Sequence, residues 1–166
     1  MDERTVVSAV QKLKVMGRTG WIRREIACPE TIGAHSFAVA LWCLLFSSRD
    51  IDVDRCIKMA LLHDLAEAVT GDITPDDPGY ETKDEEERHV LLDLFSDRED
   101  LVALMEEYFE QRSREAKFVR MMDKFDMILQ AIDYGFFDEF WEDAGHEIRD
   151  RKLQEIIERY RGERDV

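Results

Sequence analysis

The chain predicts an all-α fold, a single compact helical bundle, and three observations carry that prediction. Apolar residues recur at three- and four-residue spacing through most of the sequence, and no segment keeps a convincing two-residue alternation. Gly17, Gly71, Gly79, Gly135 and the three prolines fall between the periodic segments, where they end helices and open turns. With 166 residues, 45% hydrophobic and 37% charged, the chain is long enough for one sizeable core without disulfide staples. No repeat, linker or low-complexity block divides it, so residues 1–166 read as one domain with a C-terminal helical extension from about 136.

The elements follow in order. Residues 3–16 form a first amphipathic helix ended by Gly17, and "GRTGWIRREIACPE", 17–30, is a loop rich in Arg and Trp for a connector. Pro29 precedes a second helix, about 31–49, apolar nearly all round and therefore central. Its run "FAVALWCLLF" falls well short of the roughly 20 residues that cross a bilayer, so it reads as a buried helix. Asp52 caps a third helix running to about 69, stopped by Gly71, with Ile57, Leu61 and Leu65 as its core-facing stripe. After a loop holding Pro75, Pro78 and Gly79, Thr82 and Glu85 form a capping box for a fourth helix, about 83–95. Residues 98–111 make a fifth. Ser113 caps a long sixth helix to Tyr134, with Gly135 in the C-cap role, and the last helix spans about 147–161. Phe136, Phe137, Phe140 and Trp141 either fill the core or form a contact between two copies, the chain's homodimer option.

Charge and cysteine content narrow the partners. A net charge of −15 argues against a protein that grips long nucleic acid through its phosphates. Yet no acidic residue lies between Arg4 and Arg24, a segment carrying Lys12, Lys14, Arg18 and Arg23, which is either a solvated basic face or a receiver for a small anion. The N-terminus lacks a secretory pattern, and Cys28, Cys43 and Cys56 include no CxxC pair, so a reducing cytoplasm is the expected compartment.

The chemistry concentrates in "LLHDLAEAVTGDIT", residues 61–74, which sets His63, Asp64, Glu67 and Asp72 within an otherwise oily helical stretch. Asp64 and Glu67 are three apart and His63 and Glu67 four apart, so the three share a face. Neighbouring carboxylates cost energy unless a cation or proton intervenes, and a divalent metal resolves the conflict. His35, in "TIGAHSFAVA", and Asp123, in "VRMMDKFDMILQA", lie on two other inward-packing helices. Each alone reads as a satisfied core or salt-bridged residue. Together the four offer two imidazoles and two carboxylates, a donor set suited to Mn²⁺, Fe²⁺, Co²⁺, Ni²⁺ or Zn²⁺. Lys83 and His89 read as exposed helix decoration, and His146 as part of a charged tail.

A histidine, then "HD", then a distant aspartate resembles the HD-domain metal-dependent phosphohydrolases, which are all-α. The wider text, "RTGW" at 18–21, "HS" at 35–36, "KMALLHDLAEAVTGDITP" at 58–75 and "SREAKFVRMMDKFDMILQA" at 113–131, is similar to the 5′-deoxynucleotidase family of that fold, over roughly residues 8–135. The resemblance implies that His35, His63, Asp64 and Asp123 bind one divalent metal ion, its identity among Co, Mn, Ni, Fe, Zn and Mg left open. It implies proton-handling roles for Glu67 and Asp72, phosphate binding by Arg18, and contact of Trp21 with the sugar of a small nucleotide substrate. Family members commonly carry an acidic residue just before the first histidine; Ala34 stands there in this chain, so support for His35 has to come from elsewhere. Two other readings stay open: an HD hydrolase of triphosphates, alarmones or cyclic nucleotides, and a helical regulatory protein that holds a metal without turnover.

Overall fold

The computed structural model describes residues 3–164, folded as ten α-helices. These are α1 (Glu3–Leu13), α2 (Thr19–Arg23), α3 (Ile32–Phe46), α4 (Val53–Leu62), α5 (Glu67–Thr70), α6 (Lys83–Leu94), α7 (Glu99–Phe109), α8 (Arg114–Tyr134), α9 (Phe137–Ala144) and α10 (Arg151–Arg164). Short 3-10 turns at Tyr80–Thr82 and Gly145–Glu147 complete the helical content. Among the described residues there is no β-strand, only an isolated bridge between Gly17 and Thr31. None of the described helices is long and apolar enough to cross a membrane.

Local chemistry sets several boundaries. The Asp52 carboxylate accepts the Arg55 N–H at 3.2 Å, and the Ser113 hydroxyl accepts that of Ala116 at 3.0 Å; each cap contributes about 1 kcal/mol to its helix. Gly135 closes α8 at φ 79°, a left-handed conformation in which a Cβ is strained.

Four local expectations are corrected. The loop at 17–30 contains α2, whose ends are bonded back on themselves. The expected third helix is broken: His63 Nδ1–H donates to the Ala60 carbonyl at 2.7 Å, residues 63–66 tighten into turns, and helical structure resumes only at Glu67. The buried face of α4 is Cys56, Met59 and Ala60, whereas Leu61 is 50% exposed and Ile57 only partly buried. Spacing identifies a face but not which neighbour covers it. Finally, the Thr82 hydroxyl is directed at the Gly79 carbonyl and the Glu86 carboxylate, so no capping box forms with Glu85.

Two apolar clusters fill the interior. One joins Val39 and Cys43 of α3, Met59 of α4, Met122, Phe125 and Ile128 of α8, and Leu153 and Ile157 of α10. The other joins Ala9 and Leu13 of α1, Ile32, Leu65, Leu91, Phe95 and Met105. The aromatics after Gly135 are engaged within the chain: Phe137 and Trp141 pack on the first cluster, and Phe140 lies 4.7 Å from the Trp21 ring.

Because Ile157 is fully buried, Ile157→Ala is expected to destabilise the intact chain by about 2–5 kcal/mol in urea unfolding. A loss no larger than the roughly 0.5 kcal/mol of an ordinary surface substitution would place α10 outside the core.

Candidate metal centre

The imidazoles come from two of the places where the chain passes from one apolar cluster to the other. On α3, His35 lies between Ile32 of the second cluster and Val39 of the first. At the end of α4, His63 and Asp64 lie between Ala60 of the first cluster and Leu65 of the second. Asp123 reaches the same region from α8, where the neighbouring Met122 is fully buried.

The nitrogen and oxygen atoms converge. His35 Nε2 lies 3.1 Å from Asp123 Oδ1 and 3.8 Å from Asp64 Oδ2, and His63 Nε2 lies 3.2 Å from Asp64 Oδ2. One ligand atom from each of His35, His63 and Asp64 falls within 4.8 Å of the other two, close enough to hold a metal ion. His63 supplies the test of fit. Its Nδ1 is engaged with the Ala60 carbonyl, which requires a proton on that nitrogen and leaves Nε2 with a lone pair. That Nε2 is buried and has no hydrogen-bond partner, although a carboxylate oxygen stands beside it. Two electron-rich atoms held this close in a buried site call for a cation between them.

Support for His35 comes from Asp126, which takes the place left by Ala34. Asp126 Oδ2 lies 2.8 Å from His35 Nδ1, and its Oδ1 accepts the Trp42 indole N–H at 2.7 Å. Asp126 follows Asp123 by three residues, so both carboxylates face the ring from one side of α8. Burial and the Arg18 charge work against the His35 cation, but Asp123 and Asp126 outweigh them and push it up to about 9. Burial likewise opposes the charged forms of Asp64 and Asp123. The neighbouring His63, His35 and Arg18 nevertheless hold Asp64 below the usual carboxylate range, and Lys124 and His35 do so for Asp123.

Around this centre the loop 17–30 is clamped in place. Arg18 N–H donates to the Glu30 carbonyl and Ile32 N–H to the Met16 carbonyl, both at 2.9 Å, which closes the base of the loop. Arg18 thereby extends its guanidinium to 3.6 Å from Asp64, and the surrounding acids raise its already high affinity for a proton despite burial. Asp72 Oδ2 accepts the Thr19 N–H at 2.6 Å, while Arg23 binds Thr74 and Asp77, so the segment after Gly71 is tied to α2. Trp21, for which the resemblance implies contact with the sugar, sits beneath the surface. It is 2% exposed and packed against Tyr134 and Phe140, an anchor for α2 with no open face.

Lys83 is corrected from surface decoration to part of the centre. Its ammonium donates to Glu67 Oε1 at 2.9 Å and to the Ile73 carbonyl at 3.2 Å, and lies 3.6 Å from Glu87. Burial and the nearby Asp64 push the Glu67 carboxyl up to about 9 against the pull of Lys83, and burial pushes Glu87 up to about 7. Tyr108, its ring centroid 6.0 Å from that of His63, is held well above its ordinary value by burial and by Asp123 and Asp64. Sequence reading missed Asp126, Lys83, Glu87 and Tyr108. Only Asp126 carried a signal, its helical spacing from Asp123. His89 and His146 are exposed, as expected.

Residues 10–160 match the HD domain family. The chain is 33% identical to the 5′-deoxynucleotidase HDDC2 of Homo sapiens, covering 95% of this chain and 83% of the relative. It is 34% identical to the 5′-deoxynucleotidase hdd1 of Schizosaccharomyces pombe, covering 77% and 70%. Among solved structures, the PH0347 protein from Pyrococcus horikoshii OT3 superposes with a TM-score of 0.80 at 36% identity, covering 96% of this chain and 98% of the other. With its helical bundle, its His and Asp cluster and these similarities along most of its length, the chain belongs to the HD-domain family.

Proposed function

We propose that the chain is a metal-dependent phosphohydrolase that converts deoxyribonucleoside 5′-monophosphates to deoxynucleosides and inorganic phosphate. The observation that carries this reading is the buried, unpartnered His63 Nε2 facing Asp64, with Arg18 on one side of that carboxylate and Glu67 three residues along the chain. The 5′-deoxynucleotidase relatives supply the substrate class.

In this reading His35, His63, Asp64 and Asp123 hold one divalent ion. When bound, such an ion supplies Lewis acidity and positive charge against the phosphate group. Arg18 presents a planar, permanently charged fork to two phosphate oxygens, a geometry that lysine does not reproduce. Glu67 orients the attacking water and takes its proton as the P–O5′ bond breaks. Its buried setting makes its ionised form a stronger base than a solvated glutamate. Asp72 orients water or assists departure of the 5′-oxygen, and its bond to Thr19 ties its position to that of Arg18. Asp126 holds the His35 ring, and Lys83 holds Glu67, so both position groups that touch the reaction. Trp21 acts through packing, by seating α2.

The primary test is phosphate release from a panel of deoxy- and ribonucleoside monophosphates, each with a series of divalent ions. Strong preference for the 2′-deoxy substrates is expected; equal turnover of the ribonucleotides would reject the assigned specificity, and no metal-dependent release from any nucleotide would reject the activity. Glu67→Gln should lower kcat by about 10²- to 10⁴-fold while metal content, read by elemental analysis, stays unchanged. Arg18→Lys should lower kcat/KM without altering metal content.

A pH dependence also follows for metal-stripped protein. A histidine whose folded-state value of about 9 lies above its ordinary 6.5 stabilises the fold fully below 6.5, and the contribution is lost as pH rises through about 9. The Tm of stripped protein should therefore fall between pH 6.5 and 9 through this group, and Asp126→Asn should flatten the fall.

A further inference from the structure

A cavity of about 570 Å³, a volume in the range of small-molecule sites, opens between the end of α3, the start of α8 and the segment before α10. Its charged lining is Arg114, Lys117, Arg120 and Arg149 against Glu147 and Asp150. In a chain of 38 acidic and 23 basic residues, that reversal of sign is local. The described residues that line it include none from the metal centre. Phe46, on its wall, follows His35 by eleven residues of α3, about 16 Å of helix. Both acids are already engaged: Glu147 accepts Arg120 Nε–H at 2.8 Å, and Asp150 accepts the Lys152 N–H at 2.8 Å where α10 begins. Arg114 is paired with Asp50. Lys117 and Arg149 are exposed and, among the described residues, have no carboxylate partner.

We infer that this cavity binds a small organic phosphate, its linked phosphate groups lying along the cations of α8 and its planar body against Phe118 and Met121. Charge selects the anion. Two cations are left without a counter-charge, and the Glu147 bond holds the Arg120 fork through Nε, so both terminal nitrogens stay available as donors. Spacing selects more than one phosphate. Arg114, Lys117 and Arg120 follow one another at three-residue steps, a diagonal row about 9 Å long, which a single phosphate does not span. The rest of the wall selects an organic body. Phe46, Ile51, Phe118 and Met121 are half-buried beside the cations, and an inorganic anion would leave that apolar surface bare. An occupied cavity also touches two elements that flank the metal centre. Arg120 precedes Asp123 by three residues on α8, and Gln111, another wall residue, donates through its side-chain amide to the Tyr108 carbonyl at 2.6 Å. The inference does not depend on the proposed activity.

Isothermal titration calorimetry on the full, metal-loaded chain tests it, with α,β-methylene-ADP as the probe and methylenediphosphonate as its counterpart without a planar body. An Arg18→Ala background removes the guanidinium of the metal centre from the comparison, and the binding lost in a Lys117→Glu, Arg149→Glu double variant is the share of the cavity. Saturable binding of α,β-methylene-ADP is expected, weakening as sodium chloride is raised. Lys117→Glu and Arg149→Glu should each lower its affinity by about tenfold, with an unchanged helical circular dichroism spectrum because both residues are exposed. Lys58→Glu and Arg98→Glu, which change the net charge equally at exposed positions outside the cavity, should leave the affinity unaltered. Phe118→Leu should weaken α,β-methylene-ADP and not methylenediphosphonate. No saturable binding at millimolar probe would overturn the inference. So would binding that survives the double glutamate variant, which places the probe elsewhere, or equal affinity for the two probes, which makes the cavity a site for bare anions.

Discussion

The protein depends on an imidazole held between two carboxylates. His35 is fully buried, with Asp126 2.8 Å from one ring nitrogen and Asp123 3.1 Å from the other. Neither acid could be taken so far from water alone, since an isolated buried carboxylate is driven to its neutral form. The ring satisfies both, and in doing so ties α3 to α8 at the depth where the chemistry is placed. One nitrogen is braced from behind while the other faces the centre, the arrangement that gives a metal-binding histidine a defined orientation.

The remaining polar groups are tolerated because they form a connected set. Asp64 stands beside His63, His35 and Arg18; Glu67 is held by Lys83, which is also shared with Glu87 and the Ile73 carbonyl. Placing them between two apolar clusters resolves a packing problem. The ionisable residues occupy the boundary between the two clusters, where they meet one another and not the apolar side chains alone. The break between α4 and α5 belongs to the same arrangement, because the His63 ring engages a carbonyl of the helix it terminates.

The loop 17–30 adds a guanidinium beside Asp64. Its base is closed by two backbone bonds, its middle is anchored by the buried Trp21, and its start is bonded to Asp72 through Thr19. The locally basic segment thus delivers Arg18 to a site crowded with acids. That placement favours the anion-receiving reading of the segment over a merely solvated face. Arg23 and Arg24 are occupied in holding the 74–77 segment and the aromatics Phe136 and Phe140.

Local sequence determined much of this protein: the all-α class, the caps at Asp52 and Ser113, the stop at Gly135 and the separation of helices by glycine and proline, all of them consequences of interactions spanning a few residues. His35, His63, Asp64 and Asp123 stand out in the sequence as ionisable residues on apolar helices, and the structure brings them into one region. Other features rest on contacts between residues far apart in the chain, which periodicity does not encode. Lys83 looked like surface until its ammonium met Glu67 sixteen residues away, Asp126 gained a role only opposite His35 across 91 residues, and Trp21 became a core anchor once Phe140 and Tyr134 covered it. Which face of α4 is buried was also decided by its neighbours, since a helix repeats its spacing on every side and only packing selects one of them.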